Sequence, residues 1–326
     1  MITGIAGRTG VEVGDPRRLI EPLLDAVDGV VRGKREVIKD ALTAILAGGH
    51  ILLEDVPGVG KTTLARALAT ALGCSFRRIQ FTSDLLPSDI LGVNIFIEAA
   101  ERFEFQPGPI FANMVLADEI NRTTPKTQSS LLEAMSEGQV SIDNETRPLP
   151  DPFIVIATQN AQDFHGTYAL PESQLDRFMM RLRLGYPESR IEREILRDRG
   201  RRSPVDTLEP VASVAQLRAL QIAVDTIKVS DVVLDYVMAL VEASRQSPQL
   251  ELGVSTRGAL ALQRAARARA LIEGRAYVVP DDVKGLAIAV LGHRVQVAGG
   301  HDGLLRSQRE TDRVITQIID EVAVPI

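Results

Sequence analysis

The first half of the chain alternates between short apolar runs and longer stretches of helical periodicity. Apolar runs with few polar interruptions are typical of strands that are buried on both faces. The sequence predicts such strands at His50–Glu54, Ser75–Phe81, Met114–Glu119, Phe153–Thr158 and Met179–Leu184. Apolar residues spaced three and four positions apart predict helices at 17–31, 34–47, 64–72 and 125–137. Strands that alternate with helices predict an α/β fold, an αβα sandwich with a parallel sheet.

Two pairs of short β-prone runs interrupt this pattern, and each pair predicts a hairpin. The first pair, 93–97 and 102–106, predicts an insert at about 93–106 within a helical segment. The second pair, 139–142 and 146–149, predicts a hairpin at about 139–149. The insert is either a surface excursion or a loop that contacts a partner or lines a pore.

From Glu188 onward the pattern is helical throughout, which predicts a second, smaller all-α domain at 188–326. It would follow an α/β core at 15–187 and a flexible, glycine-rich N-terminus at 1–14. The clearest helix of the second domain is predicted at Asp231–Arg245, with Ser230 as its N-cap. Its apolar stripe consists of Val229, Val232, Val233, Tyr236, Val237, Leu240 and Val241.

Composition and charge exclude several classes of protein. Of the 326 residues, 45% are hydrophobic and 25% charged, which is ordinary for a globular protein. The formal net charge of −6 argues against non-specific nucleic-acid binding, because phosphate neutralisation needs surplus Lys and Arg. Cys74 is the single cysteine, so neither an internal disulfide nor a Cys/His metal cluster is expected. Without a secretory signal or an apolar run long enough to cross a membrane, a cytoplasmic location is expected, with no membrane insertion.

A glycine-rich loop connects the first predicted strand to the helix at 64–72. Strand, glycine loop, Gly-Lys-Thr and helix together form the arrangement that holds nucleotide phosphates. Lys61 is expected to reach the β- and γ-phosphates, and the Thr62 hydroxyl to bind Mg²⁺. Asp55 stands where the consensus has glycine, and we expect its carboxylate to hold the loop from outside. The predicted phosphate-binding residues are Pro57, Gly58, Val59, Gly60, Lys61, Thr62 and Thr63.

Polar residues end two later strands, where ligands bind in open parallel sheets. Asp118 is a candidate ligand of the Mg²⁺, directly or through water, and Glu119 a candidate to orient and deprotonate the attacking water. Asn160 follows the next strand and is either a turn residue or a hydrogen-bond partner of the attacking water and the γ-phosphate. These residue types favour a nucleoside triphosphatase that uses Mg²⁺.

These elements, in this order, resemble the AAA+ ATPases, and the two hairpins resemble the branch of that class with a helix-2 insert. Within the branch, the chain is similar to the MoxR family from roughly Asp15 to its end. The resemblance depends on five segments: Leu53–Thr62, Arg78–Asp89, Gly108–Asn113, Ala117–Arg122 and Leu170–Phe178.

The resemblance implies roles for three residues. Asn160 matches sensor 1, Arg177 matches the arginine finger that enters a neighbouring subunit's site, and Arg257 matches sensor 2, which contacts the γ-phosphate. Otherwise Arg177 would be a surface residue paired with Asp176 or Glu172, and Arg257 a residue in the first turn of a helix. Two positions depart from the family pattern, Ala161 for a common Pro and His165 for a common acid.

The resemblance further implies a chaperone-like ATPase that binds ATP and Mg²⁺. It would assemble as a homo-oligomer, a hexameric ring, and act on client proteins with a partner that carries a von Willebrand factor A domain. Two alternatives remain, a DNA-acting ring motor and the ATPase subunit of a metal chelatase. The hairpin at 139–149 has a single basic residue, Arg147, which disfavours the DNA motor. GTP is disfavoured because the guanine signature Asn-Lys-x-Asp is missing.

Overall fold

A computed structural model describes residues 5–6, 12–13, 17–143, 145–160, 167–197, 204–299 and 304–325. The first part of the chain contains β1 (Ile5–Ala6), β2 (Glu12–Val13), α1 (Arg17–Val30), α2 (Arg35–Leu46), β3 (His50–Glu54), α3 (Lys61–Ala71), β4 (Phe76–Gln80), α4 (Pro87–Leu91), β5 (Gly92–Ile97), β6 (Arg102–Pro107), β7 (Met114–Asp118), α5 (Pro125–Glu137), β8 (Gln139–Ile142), β9 (Glu145–Pro148), β10 (Ile154–Gln159), α6 (Glu172–Leu175) and β11 (Phe178–Leu182). The second part contains α7 (Ser189–Arg197), α8 (Val214–Asp225), α9 (Asp231–Gln246), β12 (Leu250–Leu252), α10 (Thr256–Ile272), α11 (Pro280–Leu291), β13 (Gln296–Val297) and α12 (Leu304–Glu321).

Five parallel strands of the described residues form the central sheet, in the order β11–β3–β10–β7–β4. The predicted α/β fold is confirmed, and each predicted strand is present within two residues of its expected bounds. In the register of the sheet, Gln159 lies beside Glu54, and Gln80 lies beside Asp118. The polar carboxyl ends of these four strands therefore lie together on one side of the sheet.

Alternate residues of the strands face two hydrophobic clusters. On β3, Ile51 and Leu53 belong to one cluster, while Leu52 belongs to the other. The strand is buried throughout because helices cover both faces of the sheet, as the continuous apolar runs predicted. One of the clusters continues into α8–α12, so it joins the sheet to the second part of the chain. The domain boundary at Glu188 stays a prediction, because this core is continuous across it.

Both predicted hairpins are present, as β5–β6 and β8–β9. In the second part, the Ser230 side chain accepts a hydrogen bond from the Val233 N–H and caps α9, as expected. Val232 departs from the predicted stripe, since it is 52% exposed. The helical pattern also did not predict the short antiparallel pair of β12 and β13. Of the predicted flexible segment at 1–14, only the paired strands β1 and β2 fall within the described residues.

His50, at the start of β3, is buried and fully hydrogen-bonded. Its Nδ1 accepts from the Val155 N–H at 3.0 Å, and its Nε2 lies 3.0 Å from the Met135 carbonyl oxygen, which can only accept. The imidazole is therefore neutral in the folded chain. Burial lowers the pKa of His50 to about 4.

We expect His50 to make stability depend on pH between about 6.5 and 4. In this window His50 is protonated in the unfolded chain but stays neutral in the folded chain. The free energy of unfolding therefore falls as the pH drops. The shift from 6.5 to about 4 corresponds to about 3 kcal/mol of unfolding free energy at pH 4 and below. Urea unfolding of the wild-type chain and of His50→Gln, from pH 7.5 to 4, measures the difference. A difference that does not change with pH would contradict the assignment.

Candidate functional site

The loop between β3 and α3 has the backbone conformation that its glycines permit. Gly58 and Gly60 have φ of +85° and +100°, a region that side chains disfavour. No neighbouring atom lies within 4 Å of a Cβ built at either position, so conformation rather than crowding requires glycine there. Gly60 precedes α3, whose first N–H groups carry a partial positive charge toward the loop. The geometry suits an anionic phosphate.

Asp55 connects this loop to the chain beyond β11. One oxygen of its carboxylate accepts from the Val56 N–H at 2.8 Å, and the other from the Gly185 N–H at 2.6 Å. Both oxygens are engaged by backbone donors, and one donor lies outside the loop. The expectation that Asp55 holds the loop from outside is confirmed.

Lys61 is buried and lies at one end of a chain of polar contacts. Its Nζ donates to the Asp55 carbonyl at 2.7 Å and to Asn160 Oδ1 at 3.0 Å. Asn160 Nδ2 in turn donates to Glu119 Oε1 at 2.8 Å. The structure thus brings together three residues that the sequence placed on three different segments. We call Lys61, Asn160 and Glu119 the polar cluster.

The two acids at the end of β7 have different surroundings. Asp118 is buried, accepting from Thr158 Oγ1 at 2.5 Å and from Arg78 Nε at 3.0 Å. Glu119 has a φ of +60°, a costly conformation for a residue with a side chain, and its N–H donates to Thr158 Oγ1 at 2.8 Å. Strain of this kind is concentrated at functional sites. In this conformation the Glu119 carboxylate accepts a hydrogen bond from Asn160.

Two residues of β4 contact these acids, and neither was a predicted site residue. Gln80 Nε2 donates to Glu119 Oε2 at 2.9 Å, and Arg78 binds Asp118 with both Nε and a terminal nitrogen. Arg78 also donates to Gln80 Oε1 at 2.8 Å. The sequence does indicate that Arg78 and Gln80 share a face of β4, because residues two apart on a strand point to the same side. It does not indicate that β4 lies beside β7, and this neighbour brings them to the two acids.

The oxygen donors fit Mg²⁺ bound with a nucleotide. Asp118 supplies a buried carboxylate, and Thr62, in the first turn of α3, supplies a hydroxyl. Among the described residues, no group of three or more His, Cys, Asp or Glu side chains is arranged so that it could hold a metal ion by itself. Such a group is not required, because Mg²⁺ at phosphate sites takes one or two carboxylates and keeps water and phosphate oxygens as its other ligands.

Arg177 lies apart from the polar cluster of its own chain. Its guanidinium donates to the Leu132 carbonyl at 2.7 Å and to Ser136 Oγ, both on α5. Within the described residues no ion pair joins Arg177 to Asp176 or Glu172. The alternative that Arg177 serves only in a surface ion pair with one of these acids is therefore not observed. The side chain is half-buried on the surface of the core.

Arg257 also lies apart from the polar cluster. It is in the first turn of α10, more than half exposed, with its Nε 3.8 Å from Asp176 Oδ2. Its place beside the segment that carries Arg177 was not expected from the sequence. The two departures from the family pattern, Ala161 and His165, lie outside the described residues.

Comparisons with known proteins agree with this geometry. Residues 50–180 match the model of the ATPase family associated with various cellular activities (AAA), and residues 242–324 match the AAA lid domain. Chaperone MoxR1 of Mycobacterium tuberculosis is 39% identical over 315 residues, 94% of this chain and 82% of that protein. Uncharacterized protein YeaC of Bacillus subtilis is 46% identical over 312 residues, 96% of this chain and 97% of that protein. A crystal structure from Cytophaga hutchinsonii, of a protein provisionally described as an ATPase, is 36% identical with a TM-score of 0.85 and covers 95% of this chain and 96% of its own.

Proposed function

Because this chain belongs to the MoxR family of AAA+ ATPases, we propose that it binds ATP with Mg²⁺ at the loop of residues 55–63 and hydrolyses it. The observation that carries the proposal is the polar cluster, in which the candidate phosphate lysine, sensor and base form one hydrogen-bonded chain. The cluster lies at the carboxyl edge of a parallel sheet, where such folds bind ligands.

The chemistry of each residue determines the role that we propose for it in binding and hydrolysis. Lys61 and the N-terminus of α3 bind the β- and γ-phosphates, while Thr62 and Asp118 hold the Mg²⁺, which neutralises phosphate charge when bound. Glu119 orients and deprotonates the attacking water. Asn160, which already bonds Lys61 and Glu119, holds that water against the γ-phosphate. Transfer of the phosphoryl group needs little more than this positioning and charge.

The site is completed by a second copy of the chain. Arg177 makes no contact with its own polar cluster and instead lies on α5, from which it would enter a neighbouring site. Arg257 lies close to the same segment and would contact a γ-phosphate as sensor 2. We propose a homo-oligomeric ring, a hexamer by the family resemblance.

Hydrolysis would drive the remodelling or maturation of client proteins, as the name of the relative Chaperone MoxR1 suggests for that protein. The β5–β6 hairpin offers a surface for a client or for a von Willebrand factor A domain partner. Its Phe96 and Phe103 rings form an edge-to-face pair at 5.3 Å and are 50% and 71% exposed. Val93 and Ile95 of the same hairpin are also exposed, and we propose that these side chains together form an apolar contact surface, since large exposed apolar patches mark protein contacts. No described helix is both long and apolar enough for a membrane span, and we propose action in the cytoplasm.

A DNA-acting motor is the weaker alternative. The one basic residue of the β8–β9 hairpin, Arg147, stacks 4.0 Å above the Phe105 ring and pairs with Glu145. It is thus already engaged within the chain, which disfavours phosphate tracking. Stimulation of the ATPase by DNA at moderate salt would reverse this ranking. For the chelatase alternative, the test is coupling of hydrolysis to insertion of Mg²⁺ into a tetrapyrrole.

The Lys61→Ala variant tests the nucleotide site directly. A charge-assisted hydrogen bond contributes about 1.5–3 kcal/mol, so affinity for a non-hydrolysable ATP analogue should fall about 10- to 100-fold. Isothermal titration calorimetry measures it, and Lys126→Ala, an exposed lysine in the first turn of α5, is the matched control. Undiminished affinity in folded Lys61→Ala protein would refute the assignment.

A further inference from the structure

A buried arginine of the lid binds the backbone on both sides of Arg177. Arg294, three residues beyond α11, has a side chain only 3% exposed. Its guanidinium donates to the carbonyl oxygens of Asp176 at 3.3 Å, Phe178 at 2.6 Å and Met179 at 3.1 Å. Asp176 and Phe178 immediately flank Arg177 in the chain, and Met179 is the next residue. A single planar group thus fixes the segment from which the candidate finger projects.

An ion pair strengthens the same contact. Arg294 Nε donates to Asp176 Oδ1 at 2.8 Å, and Asp176 Oδ2 faces the exposed Arg257, also of the lid, at 3.8 Å. The neighbouring His293 places Nε2 2.9 Å from the Phe178 carbonyl, so three lid side chains converge on residues 176–178. A buried ion pair contributes little net stability compared with apolar packing, and its well-attested use is to fix one geometry.

The finger side chain itself contacts no lid residue in the part of the chain that the structure describes. Arg177 bonds α5 of the core, while its two chain neighbours are bonded to the lid. A movement of the lid relative to the core would therefore shift the backbone that carries Arg177, rather than act directly on its guanidinium. No other lid arginine in the described residues contacts this segment's backbone.

We propose that Arg294 is a positioning residue, which holds the finger segment of its own subunit from the lid and so sets the finger's position in the neighbouring site. The proposal rests on the proposed function, in which Arg177 acts in trans. Nucleotide in one site would alter the lid, the lid would act through Arg294, and the next site would respond. Arg294 would thereby link the nucleotide sites of adjacent subunits.

The test separates the subunit that gives the finger from the one that receives it. The acceptor is Arg177→Ala, which keeps its own site, and the donor is Glu119→Gln, which keeps its finger. Arg294→Lys is placed in one or the other before mixing. Lysine keeps the charge but cannot bond several carbonyls in one plane.

Misplacement of a catalytic group by about 1 Å costs about 100-fold, so Arg294→Lys in the donor should lower the restored kcat about 10- to 100-fold. KM for ATP should stay unchanged, because the acceptor's phosphate loop is intact. The same substitution in the acceptor should cost far less. Damage to the fold would act equally in both arms, and such equality would overturn the proposal.

Arg269→Lys is the matched control, because Arg269 makes another partly buried lid-to-core ion pair, with Asp40, away from the finger. It should show no preference for the donor arm. If Arg294→Lys fails to fold, Asp176→Asn in the donor replaces it, and a loss confined to the donor is again expected. Failure of the unsubstituted mixture would refute the trans finger itself. A working mixture with an unaffected Arg294→Lys donor would refute only the positioning role.

Discussion

Arg177→Ala protein should bind ATP as tightly as the wild-type chain and yet lose nearly all turnover. The expected loss in kcat is about 10³- to 10⁵-fold, the range of arginine fingers in phosphoryl transfer. Binding should survive because Arg177 contacts Leu132 and Ser136 rather than the polar cluster of its own chain. Calorimetry with an ATP analogue and steady-state phosphate release measure the two quantities separately. Arg190→Ala, an 86% exposed arginine on α7, is the control that should change neither.

Mixing decides where the finger acts. Glu119→Gln protein has no working base but still carries Arg177, so its addition should restore part of the activity of Arg177→Ala. Neither variant alone can supply both groups to one site. The restored rate should depend on the mixing ratio and reach a maximum at intermediate proportions. A mixture as inactive as its components would point to a finger that acts within its own chain.

Glu119→Gln should give the second large effect, a loss of hydrolysis with ATP retained. General-base catalysis contributes about 10²- to 10⁴-fold, and a carboxamide cannot take the proton. The contact from Asn160 can persist, since the glutamine oxygen still accepts. Single-turnover phosphate release measures the chemical step. Glu133→Gln, an exposed acid on α5, is the control.

The same variant should retain partners. Held in ATP, it should capture the client or the von Willebrand factor A domain protein that the wild-type chain releases after hydrolysis. The comparison is a pull-down with Glu119→Gln in ATP against the same protein without nucleotide. Hydrolysis at the wild-type rate would remove Glu119 from the role of base, whatever the pull-down shows.

Local patterns predicted the framework of this chain for physical reasons. Strands covered on both faces need continuous apolar runs, as at His50–Glu54, and glycines at positive φ mark the phosphate loop. The edge where Lys61, Glu119 and Asn160 meet also followed, because parallel strands end on the same side. Their roles in catalysis remain predictions, although their contacts are observed.

Other features depend on which distant segments become neighbours, and periodicity carries no such information. Arg294 and Asp176 are 118 residues apart and belong to different parts of the fold. Arg78 contacts Asp118 only because β4 forms the edge of the sheet beside β7. The exposure of Val232 likewise depends on how much of α9 is covered by its neighbours. The apolar stripe predicts which face of the helix is buried, but it does not predict how wide the covered area is.

The bond from Asp55 to Gly185 has a mechanical consequence. Gly185 adopts a φ of +63°, and the carbonyl oxygen of the next residue, Tyr186, accepts a hydrogen bond from Lys34 Nζ at 2.8 Å. The strand leaving the sheet is thus held between the glycine loop on one side and the base of α2 on the other. If the loop changes shape when a phosphate binds, we expect the change to reach residues 185 and 186 through this bond. Occupancy of the loop would thereby be communicated to the start of the helical part of the chain, at α7.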